Sequence, residues 1–136
     1  MIREHLLRLA FVTALLIAFL HISAVNFFLY WSYWWFDIPM HLLGGFFLGL
    51  LSLWFLVFYS QKGFAFSQLQ TLFVAVLGAL FVGLVWELFE YSAGITFNSI
   101  GSYPLDTIKD LIMDVTGGYV AYVYCFYKIY RQKVSF

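Results

Sequence analysis

The chain has 136 residues, of which 64% are hydrophobic, 24% are aromatic and 10% are charged, and its formal net charge is zero. This composition lies far outside the range of soluble domains and excludes that class. The neutral balance and the lack of a basic run also argue against nucleic-acid binding. We expect an integral membrane protein in a lipid bilayer, built as one all-α domain over residues 1–136.

Four apolar segments predict four transmembrane helices, since a span needs about 20 apolar residues. Their approximate bounds are 6–30, 38–59, 69–90 and 106–127. The first segment lacks a small-residue cleavage site after its apolar run, so we interpret it as a span and not as a signal peptide. The aromatic run at 30–35 is typical of a membrane–water interface. Polar stretches at 60–63 and 92–104 provide the other two connections.

The basic residues predict the orientation of this four-helix bundle. Only Lys109 falls on one face, and the other face receives Arg3, Arg8, Lys62, Lys128, Arg131 and Lys133. The positive-inside rule then makes both termini cytoplasmic. The starts of the second and fourth spans and the end of the third span consequently meet at the outward face.

Six of the seven acidic residues lie at those outward ends, in three clusters: Asp37; Glu87 and Glu90; Asp106, Asp110 and Asp114. Spacings of three and four residues place each set on one helical face, and His41 follows Asp37 at the same interval. Asp114 lies eight residues beyond Asp106, which is about 12 Å deeper in the membrane. Because ionisable groups are costly in lipid, we expect the clusters to share one polar chamber inside the bundle.

Several explanations of the acidic clusters remain open. Asp37 and Asp106 each precede a helix start, where a carboxylate caps amide groups and complements the macrodipole. A structural polar network between helices is a second alternative. The remaining carboxylates repel one another in a low dielectric and need neutralisation, either by shared protons or by a divalent cation. Carboxylates favour Mg²⁺, Mn²⁺ or Ca²⁺, and a histidine ligand shifts the preference toward Mn²⁺ or Zn²⁺.

Two further ionisable residues are candidates for the same site. His21 lies at a depth comparable to Asp114 and could pair with it, although a hydrogen bond to a backbone carbonyl is the favoured alternative. Lys109 lies among the acids, where it could balance their charge, bind an anionic head group, or simply extend to water at the interface.

Small residues recur at four-residue spacing in the later spans. Gly45 and Gly49 form a GxxxG pattern in the second span. The small residues with similar spacing in the third and fourth spans are Ala79, Gly83, Gly117, Gly118 and Ala121. We expect these residues to pack helices within the bundle. A homo-oligomer formed through one of the patterns is the alternative. Cys125 has no partner cysteine and is interpreted as a small buried hydrophobe.

Three motifs resemble a known pattern. Asp37-Ile-Pro-Met-His41-Leu-Leu-Gly44-Gly45, Trp86-Glu87-Leu-Phe-Glu90 and the segment 106–118, with its aspartates and final glycine pair, are similar to YjdF-type bacterial inner-membrane proteins. More distantly they resemble the VanZ-like family. The resemblance covers spans two to four. It implies a small helical bundle of the bacterial or archaeal cytoplasmic (inner) membrane and a link to envelope lipids or glycopeptide resistance, without naming a reaction.

Two classes of function follow from these observations. The favoured hypothesis is a divalent-metal-binding membrane protein, acting as a hydrolase or transferase on lipid-linked envelope substrates. Its expected metal ligands are Asp37, His41, Glu87, Glu90, Asp110 and Asp114, with Asp106, Lys109 and His21 as additional candidates. The alternative is an ion- or proton-binding transport or channel protein, or a non-catalytic structural protein that uses the same cluster.

Overall fold

The computed structural model describes residues 2–59, 67–94 and 102–134, and all regular structure in these ranges is helical. The helices are α1 (Ile2–Asn26), α2 (Leu29–Ser32), α3 (Asp37–Tyr59), α4 (Gln68–Ala93) and α5 (Tyr103–Val134). The predicted all-α class is confirmed. The predicted connection at 60–63, which contains Lys62, and most of the one at 92–104 lie outside the described residues.

Three of these helices are long and apolar enough to cross a membrane: Ile2–Asn26, Asp37–Val57 and Gln68–Ala93. The fourth predicted span corresponds to α5, which is not among them. Its first half carries Asp106, Lys109, Asp110 and Asp114, and its second half is rich in tyrosine, so its hydropathy is lower than that of the other long helices. Of the four predicted spans, three therefore correspond to helices that are long and apolar enough to cross a membrane.

The first predicted span ends too late. α1 stops at Asn26 and not at residue 30, because Phe28 adopts a left-handed backbone conformation with φ of 56°. Non-glycine residues rarely adopt this conformation, and it ends the run of helical hydrogen bonds. The short α2 then presents Tyr30, whose ring packs edge-on against Phe36 at 5.2 Å between centroids. The aromatic run thus forms a compact turn above the ends of α1 and α3.

The other helix ends follow local sequence signals. Ser67 and Gln70 form a capping box at the start of α4, and Gly94 ends this helix with φ of 65°. Both are favoured solutions for unpaired backbone groups at helix ends. α5 begins at Tyr103, three residues before the predicted start, with Pro104 in its first turn, where a proline costs no hydrogen bond.

Small residues bring α5 close to its two neighbours, α3 and α4. A Cβ atom added to Gly49 of α3 would lie 2.8 Å from Ala121 Cβ and 2.9 Å from Gly118 Cα of α5. One added to Gly118 would lie 3.0 Å from Ala79 Cβ of α4. The predicted role of these glycines in packing within one chain is confirmed.

The bundle is divided along its length into an apolar half and a polar half. The apolar half contains a cluster of buried residues: Leu6, Ala10, Leu50, Leu53, Ala75, Ala121 and Cys125. Cys125 is fully buried, as predicted. Buried charged side chains occupy the other half, at the start of α3, the end of α4 and the start of α5. α1 packs mainly on α3 and completes the bundle on one side.

Candidate functional site

An imidazole lies at the centre of the polar half. His41 is 8% exposed, and its Nε2 atom is 3.7 Å from Asp37 Oδ1 and 3.9 Å from Glu87 Oε1. On the other side of the ring, Nδ1 is 3.4 Å from Asp114 Oδ2. Carboxylates from α3, α4 and α5 therefore converge on one histidine.

Asp114 reaches the histidine because Gly83 leaves room for it. A Cβ atom on Gly83 would collide with Asp114 Oδ2, whereas one on Gly44 would lie 3.9 Å from Oδ1. Asp114 is only 3% exposed, so its carboxylate is held in place between α3 and α4. When the His41 proton is on Nδ1 and is donated to Asp114, the lone pair of Nε2 is available to a ligand. This carboxylate–histidine arrangement is common behind metal ligands.

Glu87 is fixed by residues at the start of α5. Its Oε2 atom accepts a hydrogen bond of 2.8 Å from Thr107 Oγ1, and its backbone carbonyl accepts one of 2.9 Å from Tyr103. Its other carboxylate oxygen, Oε1, is buried and has no hydrogen-bond partner in the described part of the chain. That oxygen lies on the His41 side of the carboxylate, at the centre of the cluster.

Lys109 neutralises one edge of the cluster. Its Nζ atom lies 2.6 Å from Asp106 Oδ1 and 3.3 Å from Asp110 Oδ1. The longer distance is within ion-pair range, yet Asp110 Oδ1 lacks a hydrogen bond from any described residue. Lys109 is therefore hydrogen-bonded to Asp106 and forms an ion pair with Asp110, whose Oδ1 atom can still accept a further partner. Asp110 is 2% exposed, so water is largely excluded from it.

Three of these residues have the spacing of a cation site. Asp37, His41 and Asp110 each offer one ligand atom, and the three atoms lie within 4.8 Å of one another. Oxygen ligands of Ca²⁺ lie about 2.3–2.6 Å from the ion, so two ligands on opposite sides can be about 5 Å apart. Smaller ions need the three side chains to move inward by a few tenths of an ångström. The donor set of two carboxylates and one imidazole suits a smaller divalent ion such as Mn²⁺ or Zn²⁺.

A cavity of about 500 Å³ opens beside this cluster, between α1, α3 and α4. Its polar lining includes Asp37, His41, Asp114 and Glu90, which is 8% exposed. Glu90 therefore faces the same cavity as Asp37, His41 and Asp114, without belonging to the triad.

His21 also lines this cavity, but the hydrogen bond that the structure gives its ring goes to Tyr30 and not to Asp114. Nδ1 of His21 is 2.9 Å from the Tyr30 hydroxyl. Burial raises the pKa of Tyr30, and the nearby charges of Asp37 and Glu90 raise it further, so its hydroxyl stays protonated. This pair connects α1 to the aromatic turn at the mouth of the cavity.

The structure adds supporting roles that the sequence did not predict. Thr107, Tyr103 and Tyr30 position site residues by hydrogen bonds, and Gly83 makes room for a carboxylate. Thr107 carries a signal in the sequence, since it lies three residues before Asp110 on the same helical face. Tyr30 and Gly83 act across helices, and no local spacing indicates their roles.

Comparison with known proteins gives the family of the chain. The family model described as "Predicted membrane protein (DUF2238)" matches residues 3–131, which includes every residue of the site. No curated protein and no solved structure matches the chain. The match supports the predicted YjdF-type membrane family and a lipid bilayer as the surroundings of the protein. The chain belongs to the DUF2238 family of predicted membrane proteins.

Proposed function

We propose that this membrane protein binds a divalent cation through Asp37, His41 and Asp110. The observation that carries the proposal is the pair of buried carboxylate oxygens, Glu87 Oε1 and Asp110 Oδ1, that lack hydrogen bonds in the described part of the chain. A buried carboxylate oxygen without a hydrogen bond is costly. A cation at the centre of the cluster would give Glu87 Oε1 a partner and would add a second one to Asp110 Oδ1, which now has only the ion pair with Lys109 at 3.3 Å. Glu87 then becomes a fourth ligand, and Asp114 orients His41 from behind.

The charge balance supports a cation over protons alone. Among the described residues, the site contains carboxylates from three helices and one ammonium group, that of Lys109, which lies closest to Asp106. Protonation could neutralise the others only by several large pKa increases, whereas one dication cancels two charges and accepts several oxygens together. Carboxylates with one imidazole favour Mn²⁺ or Zn²⁺, and Mg²⁺ and Ca²⁺ remain suitable if His41 stays outside the inner coordination shell.

We further propose that α5 is the fourth span of a single bundle with both termini in the cytoplasm. α5 has 32 residues, which gives a length of about 48 Å, more than the roughly 30 Å of a hydrocarbon core. Its buried aspartates face α3 and α4 and are hidden from lipid. The basic residues at the chain ends then lie on the inner face of the bacterial or archaeal cytoplasmic membrane, and the cation site lies near the outer face.

A cation at this position can act on lipid-linked substrates. It would polarise a phosphate or ester oxygen and lower the pKa of a bound water molecule, which is the chemistry of a metal-dependent hydrolase or transferase. The cavity beside the site gives a substrate access to two of the three proposed ligands, Asp37 and His41. The distant resemblance to the VanZ-like family is in keeping with an envelope substrate and remains a prediction.

The test is thermal unfolding of the purified protein in detergent, with EDTA or with added Mg²⁺, Mn²⁺, Ca²⁺ or Zn²⁺. A cation that binds only the folded state stabilises it by about 2.7 kcal/mol at about 100 times its Kd, so the midpoint should rise. Asp110→Asn and Glu87→Gln should lose most of this rise. Glu4→Gln removes one exposed negative charge far from the site and is the matched control, which should behave as the parent does.

The opposite outcome would favour the alternatives. If no cation raises the midpoint of the parent, and both amide variants are at least as stable as the parent, then the carboxylates are neutralised by protons. The cluster would in that case be a proton-binding or purely structural network.

A further inference from the structure

The cavity beside the cluster has the shape of a slot along the membrane-spanning direction. On α3 its lining runs from Asp37 to Leu48, and the rise between these two residues is about 16 Å of helix. One wall is the α1 face with Ala14 and Ala18, and the opposite wall is α4. α1 and α4 make no extensive contact with each other in the described residues, so the slot is open between these two helices.

The two ends of the slot differ in chemistry. The deep end is apolar, with Ala14 and Ile17 of α1 facing Phe47 and Leu48 of α3. The other end is formed by the acid–histidine cluster, with His21 beside it. A ligand that matches both ends has a hydrocarbon chain and a polar head, and a volume of about 500 Å³ is enough for a molecule of ordinary ligand size.

We propose that the slot holds the single hydrocarbon chain of a lipid phosphate that enters sideways from the bilayer between α1 and α4, with its phosphate on the cation site. This inference rests on the proposed cation, since a phosphate would be repelled by the carboxylates alone. With a dication bound to Asp37, His41 and Asp110, the charge at the head-group end becomes complementary.

His21 of α1 contributes a further polar group to the head-group end of the slot. His21 shares a hydrogen bond with Tyr30 through Nδ1. When Tyr30 donates that hydrogen bond, the neutral imidazole carries its proton on Nε2, which is then a donor for a phosphate oxygen. A cavity of about 500 Å³ suits one hydrocarbon chain better than the two chains of a diacyl lipid.

The experiment uses the full chain in phosphatidylcholine nanodiscs and a dodecyl phosphate with a diazirine group in its chain. After photolysis, mass spectrometry should find adducts on α1 at residues 14–21 and on α4 at residues 82–90. Labelling should depend on Mn²⁺ and fall to background in EDTA. The matching diazirine dodecanol and a diacyl phosphatidic acid with the same group should both label at background level.

A substitution that fills the slot with a larger side chain, and a control that places the same side chain outside it, test the proposal. Ala18 is exposed on the slot side, so Ala18→Phe adds a ring there without disturbing buried packing. The affinity for dodecyl phosphate should fall about tenfold for every two methylene groups displaced. Leu15→Phe places the same ring on the lipid-facing side of α1, where Leu15 is 55% exposed, and should leave labelling unchanged. Ala14→Phe repeats the test deeper in the slot if Ala18→Phe does not fold.

The outcomes separate this inference from the cation proposal. Cation-dependent labelling that Ala18→Phe abolishes, while that variant keeps the Mn²⁺-dependent rise in unfolding midpoint, supports both. If the parent shows that rise but labelling is equal in EDTA, equal for the alcohol or the diacyl lipid, or unaffected by Ala18→Phe, the slot proposal is wrong and the cation proposal stands. If the midpoint never responds to a cation, both are overturned.

Discussion

Two adjacent glycines of α3 should respond in opposite directions to the same substitution. A Cβ atom on Gly45 would collide with the backbone carbonyl oxygen of Asp114 and lie 2.6 Å from its Cα atom. Neither atom can rotate away, so α3 and α5 must separate. A Cβ atom on Gly44 would meet only Asp114 Oδ1, at 3.9 Å, which is an ordinary contact. The structure thus predicts that Gly45→Ala disrupts the α3–α5 interface and that Gly44→Ala does not.

The magnitudes follow from two opposing terms. Overpacking a close interface typically costs about 1–3 kcal/mol, and a clash with backbone belongs at the upper end. Alanine gains about 0.5–1 kcal/mol over glycine in a helix interior. Gly45→Ala should therefore lower the free energy of unfolding by about 2 kcal/mol. Gly44→Ala should raise it by about 0.5–1 kcal/mol, since only the helix term applies.

The assay is unfolding of both variants and the parent in the same mixed micelles, followed by circular dichroism while a denaturing detergent is titrated. Gly45→Ala should also weaken cation binding, because Asp114 shares the displaced segment of α5 and contacts His41. A Gly45→Ala protein as stable as Gly44→Ala would refute the close approach of α3 to Asp114, and with it the placement of this carboxylate behind His41.

Two other predictions concern orientation and support of the site. Cysteine placed at Gly101 should react with a membrane-impermeant maleimide in intact cells, whereas cysteine placed at Lys62 should react only after permeabilisation; the reverse pattern would move the site to the inner face. Both positions lie outside the described residues, and the buried Cys125 supplies an unreactive background. Thr107→Val removes the donor to Glu87 and should weaken cation affinity by about 10–100-fold, while Thr107→Ser should retain it, as read from cation titrations of the unfolding midpoint. An unchanged affinity in the valine variant would show that Glu87 needs no support from α5.

Helical periodicity accounts for what the sequence could predict. Composition alone indicates membrane helices, and the interval of four residues between Asp110 and Asp114 places both on one helical face. The alternation of span directions then brings the acidic ends of three helices together, and the contacts of His41 lie at that meeting point. These inferences need only the pitch of a helix and the cost of charge in lipid.

Features that depend on contacts between helices could not be predicted in this way. The left-handed conformation of Phe28 ends α1 early, and no glycine or proline near this position indicates it in the sequence. Gly83 belongs to a small-residue pattern that suggests packing, but the atom that fills its space is the carboxylate of Asp114, from a helix about thirty residues later. The partner of His21 is likewise a tyrosine in the turn after its own helix. Such pairings depend on the relative rotation of helices.

The order of α3, α4 and α5 along the chain bears on how the protein is made. α5 carries two aspartates that are buried in the folded bundle, Asp110 and Asp114, so its insertion into lipid as an isolated helix is unfavourable. Its partners, His41 on α3 and the glycine-lined face of α4, are synthesised first. We expect α5 to leave the ribosome with its docking groove already in place, so that it enters the membrane along protein and not through hydrocarbon. If the α5 segment were placed ahead of α3 and α4 in the gene, the docking groove would not yet exist when α5 is made. Its aspartates would then be exposed to lipid during translation.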